Sequence, residues 1–538
     1  MNDKKLLLIL VLFSLLIRLV KISSLPMYGD ELTLSYDAFS ILMTGRDSTG
    51  EMLPLTFSMR GGSPPGYVYL SLPFIGIFGP SALGVRALSI VSSLAIILLL
   101  YLIGKRIFSE KVGILAGLIA VFSPADINLA RGGFETHTAL ALALAGIAAV
   151  IYAKKKPWFL ILSILFFFLS AFTYPSYKLV VPLFVPTLIW YLGGLKFLKG
   201  IGKGPLLGAL VLSIVLGVVI LSQIFFVNSE RRLIERSVFS NAEVNNEILQ
   251  DINYKRKLLE NELSRVFHNR PVEYFIVIRD TIINSLSPEY LFVSGDGNPR
   301  HNSTQSGLLY FAEIPLFALG LFVLFTKNPK RKIIFMMGWG LIAAFPAAFL
   351  GETHLLRSSF IVPLLILVSG LGLEVFVNNL SKKFVKVLLV LIILLWLGQF
   401  ASILEKLYFV TPNQYARYWG YPAKLASSIA NQEKGSYDYV LLSSRINDIE
   451  YAYPVYNKLD PAIFITQKDF PEELNGINFK RFDNVYIGSI EARALDTFIK
   501  GLKGRVLYIG TPFDMEHLSN YEIRRDRDQT LILVLKKT

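Results

Sequence analysis

Long apolar blocks separated by short polar connections dominate the first 405 residues of the chain. A helix needs about 20 apolar residues to cross the hydrocarbon core of a bilayer. Runs of that kind occupy residues 6–22, 84–104, 112–128, 136–153, 157–173, 175–193, 205–227, 307–326, 333–350, 358–377 and 385–405. They predict a polytopic α-helical membrane domain over residues 1–405 with about eleven transmembrane helices. A further apolar stretch at 66–79 is broken by Pro73, Gly76 and Gly79 and runs straight into the next block, so it is expected to lie in the membrane interface. Met1 to Lys5 followed by apolar residues has the shape of a signal peptide, but no small-residue cleavage site follows, and the segment is expected to be a retained first span.

The polar connections carry the orientation. Lys4-Lys5, Lys105-Arg106 with Lys111, Lys154 to Lys156, Lys196 with Lys199 and Lys203, Lys327 with Lys330 to Lys332, and Lys382-Lys383 with Lys386 fall at alternate connections. The positive-inside rule makes these cytoplasmic and the N-terminus cytoplasmic with them. The opposite face then receives the loops 23–83 and 228–306 and, with an odd span count, the C-terminus. The first part of the long loop, Ser229 to Arg236, is charged and helix-prone, whereas its end, Ser287 to Asn302, is rich in turn residues.

After about Tyr408 the pattern changes to short runs bounded by turn residues: 437–443, 484–488, 505–510 and 530–535 read as strands with helical pieces between them. They predict a soluble extracytoplasmic α/β domain over 406–538, and no Gly-rich phosphate loop follows any of the strands. Composition agrees with the membrane class: the 538 residues are 53% hydrophobic, with a mean hydropathy of +0.50. The net charge of +14 is accounted for by the short cytoplasmic connections, so no nucleic-acid partner is expected. The absence of cysteine excludes disulfides and thiolate metal sites.

Several polar residues on the outer side can carry chemistry. Asp30 and Glu31 follow the first span closely; a carboxylate roofed by interfacial helices can act as a general base, and the plainer alternative is a helix cap or a solvated acid. Arg131 and Arg357, at outer mouths of span pairs, can grip a lipid phosphate through paired N–H donors or merely snorkel. Lys178 is a charge just inside the sixth span and shares this ambiguity. His137, His301 and His354 with Glu135, Glu313 and Glu352 lack the spacing of a known zinc motif, so no metal site and no obligatory cofactor are expected, although a divalent cation could assist.

Ordered motifs then suggest a family. Tyr28-Gly29-Asp30-Glu31 is similar to an acidic pair in a first outside loop. Ser63-Pro64-Pro65-Gly66-Tyr67-Val68-Tyr69-Leu70 is similar to a His-Pro-Pro-Leu-Tyr-Tyr segment and leads into Gly79 to Ser89; the Arg131 and Thr173 to Lys178 segments follow in order. With this topology, the chain resembles the GT-C superfamily of polyprenyl-phosphate-sugar-dependent glycosyltransferases, closest to the protein O-mannosyltransferase and aminoarabinose-transferase branch and its bacterial relatives. The resemblance covers roughly residues 1–405 and is strongest in the first 180. Ser63 departs from the family's basic or His residue before Pro-Pro, and the C-terminal α/β segment is not the module of the eukaryotic protein mannosyltransferases.

The resemblance implies a GT-C fold and an inverting hexosyl or pentosyl transfer on the outer face of the plasma or inner membrane. Asp30 would be the catalytic base with Glu31 supporting it, and Arg131, Lys178 and Arg357 would hold the donor's phosphate. Candidate substrate contacts are Tyr67 in the Pro-Pro segment and Asp296, Arg300 and His301 at the turn-rich end of the long loop. The expected partners are a polyprenyl-phosphate sugar donor, membrane lipids and an acceptor that is a lipid, a glycan or a protein. The rival readings are a transporter or flippase of lipid-linked sugars, which would place charges near the midplane, and a non-catalytic receptor displaying the C-terminal domain.

Overall fold

Helix covers most of each of the eleven apolar runs, broken by a bend within 112–128, in the computed structural model, which describes residues 3–57, 64–226, 234–259, 263–469 and 471–538. Ser63 and the expected helical start of the long loop at 229–233 lie outside the described residues. The chain divides into two compact units, one of Met1–Val20 with Ser89–Leu404 and one of Lys21–Leu88 with Glu405–Thr538.

The first unit is helical. It contains α1 (Asp3–Leu19), most of α4 (Ala82–Ile107), α5 (Glu110–Phe122), α6 (Pro124–Ala130), α7 (Glu135–Tyr152), α8 (Phe159–Thr173), α9 (Ser176–Leu192), α10 (Leu195–Lys199), α11 (Lys203–Phe226) and the later helices up to Lys383–Glu405. Among the described residues six helices are long and apolar enough to cross a membrane, and the bent pair α5 and α6 makes a seventh. The remaining expected spans, at Asp3–Leu19, Phe159–Thr173, Ser176–Leu192 and Ile314–Lys327, are shorter helices. The 56° bend between α5 and α6 has a local cause: Pro124 has no N–H to continue α5, and the Ser123 hydroxyl caps α6 by accepting from the Asp126 N–H. Small residues let helices touch, as at Gly372, where an added Cβ would lie 1.8 Å from the Leu316 carbonyl oxygen.

The second unit joins the first outside loop to the C-terminal segment. The loop supplies α2 (Gly29–Thr44) and α3 (Gly66–Phe78). At 13 residues α3 is about 20 Å long, too short for the hydrocarbon core, in keeping with the interfacial reading of 66–79. The C-terminal segment forms a seven-stranded sheet in the order β2-β3-β4-β1-β5-β7-β6. These strands are β1 (Tyr439–Ser443), β2 (Glu472–Leu474), β3 (Ile477–Phe482), β4 (Val485–Gly488), β5 (Val506–Gly510), β6 (Glu522–Arg525) and β7 (Leu531–Lys537). The central β4, β1 and β5 are parallel and the outer pairings antiparallel. Alternation along β1 divides its side chains: Val440 and Leu442 join a core with Leu32, Tyr36 and Ala426, whereas Leu441 joins Tyr508, Leu495 and Ile499 on the other face.

Candidate active site

The acidic pair sits on the first turn of α2, where helix-end N–H groups favour negative charge. Its two members have opposite environments. Glu31 is fully buried and Asp30 is exposed. Glu31 is held by Arg86, whose Nε donates to Oε1 at 2.6 Å and whose Nη2 donates to Oε2 at 2.7 Å, a bidentate pair. Arg86 also donates from Nη1 to the carbonyls of Ile22 and Leu25 and from Nη2 to that of Pro26. Thus all five guanidinium N–H groups are engaged. The Tyr28 N–H donates to Glu31 Oε2 at 3.3 Å, and Trp419 lies 5.2 Å from the Arg86 guanidinium carbon. Residues 22–31 are therefore tied to one buried cation, and α2 presents Asp30 from a fixed first turn. Tyr67, in α3, is buried and donates its hydroxyl to the Val85 carbonyl at 2.6 Å, one residue before Arg86.

In the helical unit the turn-rich end of the long loop folds back on itself. Gly295 has φ +63, and an added Cβ would lie 2.3 Å from the Ser306 carbonyl oxygen, so only glycine fits. Asp296 accepts from the N–H groups of Asn298 at 2.8 Å and Leu355 at 2.7 Å. His301 and His354 approach its Oδ2, each with Nδ1 at 3.7 Å, and their ring centroids are 4.5 Å apart. Burial pushes the Asp296 carboxyl up, but the two imidazoles and the Asn298 N–H outweigh it and hold it at about 2. Burial, with the neighbouring His301 and the cations Arg357 and Arg300, brings the His354 imidazole down to about 3 against the pull of Asp296. A neutral ring suits its hydrogen bond, because His354 Nδ1 accepts from the Leu356 N–H at 3.2 Å. One ligand atom from each of Asp296, His301 and His354 lies within 4.8 Å of the others, so these three could hold a small cation. Arg357 reaches Glu352, Nη1 to Oε2, at 2.6 Å. The Arg300 N–H donates to Asn298 Oδ1 at 3.0 Å.

A second buried arginine marks the broken span. Arg18 Nη2 donates to Asp126 Oδ2 at 2.6 Å, and its Nη1 donates to the carbonyls of Ser14 and Val121. Asp126 also meets His137 Nε2 at 2.9 Å and the Ser93 hydroxyl. Arg131, which ends α6, donates from Nη1 to the carbonyls of Arg18 at 3.1 Å and Val20 at 2.7 Å. Lys178 is buried near the start of α9, with Nζ 3.5 Å from Gln223 Oε1.

Residues 62–222 match the family described as dolichyl-phosphate-mannose-protein mannosyltransferase. No curated protein matches the chain by sequence. Among solved structures, ArnT from Cupriavidus metallidurans bound to undecaprenyl phosphate is similar with a TM-score of 0.54 at 14% identity, over 98% of this chain and 97% of that one. The oligosaccharyltransferase of Archaeoglobus fulgidus in the apo form is similar with a TM-score of 0.52 at 12% identity, over 84% of this chain and 64% of that one. The chain shares its fold with these structures. AglB from the same archaeon, in complex with an inhibitory peptide and a dolichol-phosphate, gives the same TM-score and identity.

Asp30, Glu31 and Tyr67 belong to one unit and Arg131, Lys178, Asp296, Arg300, His301 and Arg357 to the other. Asp296 and His301 come together, joined by His354, while His137 pairs with Asp126 instead. Sequence reasoning missed the parts played by Arg86, Arg18 and Asp126. Their signal was available: each is a charge within or beside an apolar run, which is costly unless paired.

Proposed function

We propose that this protein is a GT-C glycosyltransferase that moves a sugar from a polyprenyl-phosphate donor to an acceptor on the outer face of the membrane. An acceptor hydroxyl or amine attacks the anomeric carbon with inversion, the bond to the lipid phosphate breaks, and Asp30 takes the acceptor's proton. The leaving group is a phosphate, so it needs cations more than protonation, and Lys178, Arg131 and Arg357 are the residues assigned to it. The eleven-span topology with a cytoplasmic N-terminus rests on the alternating basic connections. The relatives support the donor class: one carries undecaprenyl phosphate and another a dolichol-phosphate with a peptide.

The observation that carries this reading is the Arg86 clamp. It neutralises Glu31 in a buried setting and leaves its neighbour Asp30 exposed on a fixed helix turn. Preorganisation of that kind suits a base that must meet an acceptor proton at one position. The commitment of Arg131 Nη1 to two backbone carbonyls supports a share in fixing the end of α1 besides any phosphate contact. Burial of Tyr67 and its bond to Val85 support a bracing role for that residue. The chemistry written here requires no metal step.

The test is a panel of polyprenyl-phosphate sugars offered to membranes containing the protein, with consumption of each lipid followed. One donor is expected to be consumed by the wild type and about 100-fold or more slowly by Asp30→Asn. Undiminished transfer by a normally inserted Asp30→Asn protein would falsify the assignment.

A further inference from the structure

Two connections of the helical unit meet around Asp296. The returning end of the long loop supplies Asp296 and His301, and the connection after the helix Lys330–Leu350 supplies His354. Each position is fixed by the backbone around it. The Asn302 side-chain amide donates to the carbonyls of Ser294 at 2.8 Å and Asp296 at 3.0 Å, which closes the turn that carries Asp296 and His301. The Thr136 hydroxyl donates to the Leu356 carbonyl at 2.7 Å, and the Leu355 N–H donates to Asp296 Oδ2, so the His354 segment is tied both to α7 and to the loop. Phe134 meets the His301 ring edge-on, with centroids 5.7 Å apart.

The polar atoms left over at this junction point at one another. His301 is buried, yet its Nδ1 has no hydrogen-bond partner among the described residues and faces Asp296 Oδ2 at 3.7 Å. A buried nitrogen without a partner is costly and calls for an explanation. His354 Nδ1 stands at the same 3.7 Å from the same oxygen. Around a tetrahedral Zn2+ with bonds of about 2.0–2.1 Å, neighbouring ligand atoms lie about 3.4 Å apart. Each nitrogen is therefore close to ligand spacing from the carboxylate, and one ligand atom from each residue lies within 4.8 Å of the others. The Leu355 N–H on Oδ2 and the Asn298 N–H on Oδ1 orient the carboxylate, as outer hydrogen bonds do for a metal ligand. Ligation through His354 Nδ1 would replace only the long bond from the Leu356 N–H, 3.2 Å.

We propose that Asp296, His301 and His354 bind one Zn2+, with the fourth position left to water, and that the ion pins the end of the long loop to the His354 connection. Two imidazoles and one carboxylate favour Zn2+ over Mg2+ and Ca2+, which take oxygen ligands. Sequence spacing pointed away from a metal because the ligands lie on separate connections that only the fold joins. The inference goes beyond the transfer reaction and is independent of it, since no step there uses a metal.

The test uses the full-length protein in nanodiscs, purified without a histidine tag, stripped with EDTA and titrated with ZnCl2 by calorimetry. One high-affinity Zn2+ per chain is expected, undisturbed by excess Mg2+ or Ca2+. His301→Ala and His354→Ala should each weaken binding about 100-fold or more, since a lost ligand costs at least as much as a lost outer-shell partner. His517→Ala, in the other unit, should leave it unchanged. Bound Zn2+ should slow amide exchange over residues 294–302 and 354–357, the two segments it joins.

No stoichiometric binding, displacement by Mg2+, unchanged affinity in His301→Ala and His354→Ala, or equal weakening in His517→Ala would overturn the site. Binding without slowed exchange would overturn the pinning role. If the variants do not fold, X-ray absorption at the zinc edge of the wild type decides alone: two imidazoles with oxygen donors support the site, and any other count of imidazoles overturns it. Loss of this site leaves the glycosyltransferase reading standing.

Discussion

Arg86 and Arg18 are both fully buried, and each holds a buried carboxylate, but they do so with different completeness. Arg86 has every N–H engaged: two on Glu31 and three on the carbonyls of Ile22, Leu25 and Pro26. Arg18 leaves Nε without a partner among the described residues, as His137 leaves Nδ1. Glu31 is held by both ends of the Arg86 fork, whereas Asp126 shares Arg18, His137 and Ser93. The first arrangement concentrates the charge on one bidentate pair; the second spreads it over several groups. A buried ion pair gives little net stability, yet removing one member leaves the other charge stranded. The two sites should therefore respond very differently to the same mutation.

The largest effect is expected from Arg86→Met. With Glu31 left buried without its bidentate guanidinium, the unit containing α2 and the sheet should lose about 3–5 kcal/mol, read as a fall in unfolding midpoint and rapid proteolysis of the C-terminal segment. Adding Glu31→Leu should restore much of that stability, since the pair is then replaced by apolar groups. A double variant as unstable as the single one would show that the clamp is not the source of the loss. Arg18→Met should cost less, about 1–3 kcal/mol, because Asp126 keeps His137 and Ser93. Equal losses at the two arginines would break the comparison.

Asp37 extends the comparison to an acid without a cation. It is buried in α2, accepts from the N–H and hydroxyl of Ser48, and meets no arginine or lysine among the described residues. Burial pushes its carboxyl up to about 7 from an ordinary 3.8, despite the opposing bonds from Ser48. A folded state with the higher value takes up the proton more readily, so this contribution is full below pH 3.8 and is lost as pH rises through about 7. The unfolding midpoint should fall by about 3–5 °C across that window, and Asp37→Asn should flatten the slope. The smallest effect belongs to Tyr67→Phe, which removes one hydrogen bond to the Val85 carbonyl. About 1 kcal/mol of stability should go, with no change in KM for donor or acceptor; a raised KM would make Tyr67 a substrate contact.

What the sequence disclosed follows the range of the interactions. Apolar blocks are local, and helix covers most of each, with a break at Ser123-Pro124 in one; the buried strands β1, β4, β5 and β7 were legible for the same reason. The edge strands β2 and β6, and β3 beside β2, were not, because stretches such as Glu472-Glu473-Leu474 and Glu522 to Arg525 are short and charged and depend on a neighbouring strand for their structure. The acidic pair was visible at the chain level, but what distinguishes its members was not. Glu31 and Arg86 are 55 positions apart, Arg18 and Asp126 are 108 apart, and Asp296 meets the residue after His354 across 59. No local spacing encodes such pairs; only the cost of a lone charge in an apolar setting hints that each has a partner.

The assignment of Asp30 as the base is tested most directly by comparing Asp30→Asn with Glu31→Gln in one transfer assay with the donor that the wild type consumes, each variant first checked for insertion and thermal stability. Asp30→Asn should keep the unfolding midpoint and lose about 100-fold or more in kcat. Glu31→Gln should lower the midpoint and lose activity only in step with it. A stable Asp30→Asn protein with undiminished kcat, beside a stable but inactive Glu31→Gln protein, would contradict the account and move the base to Glu31.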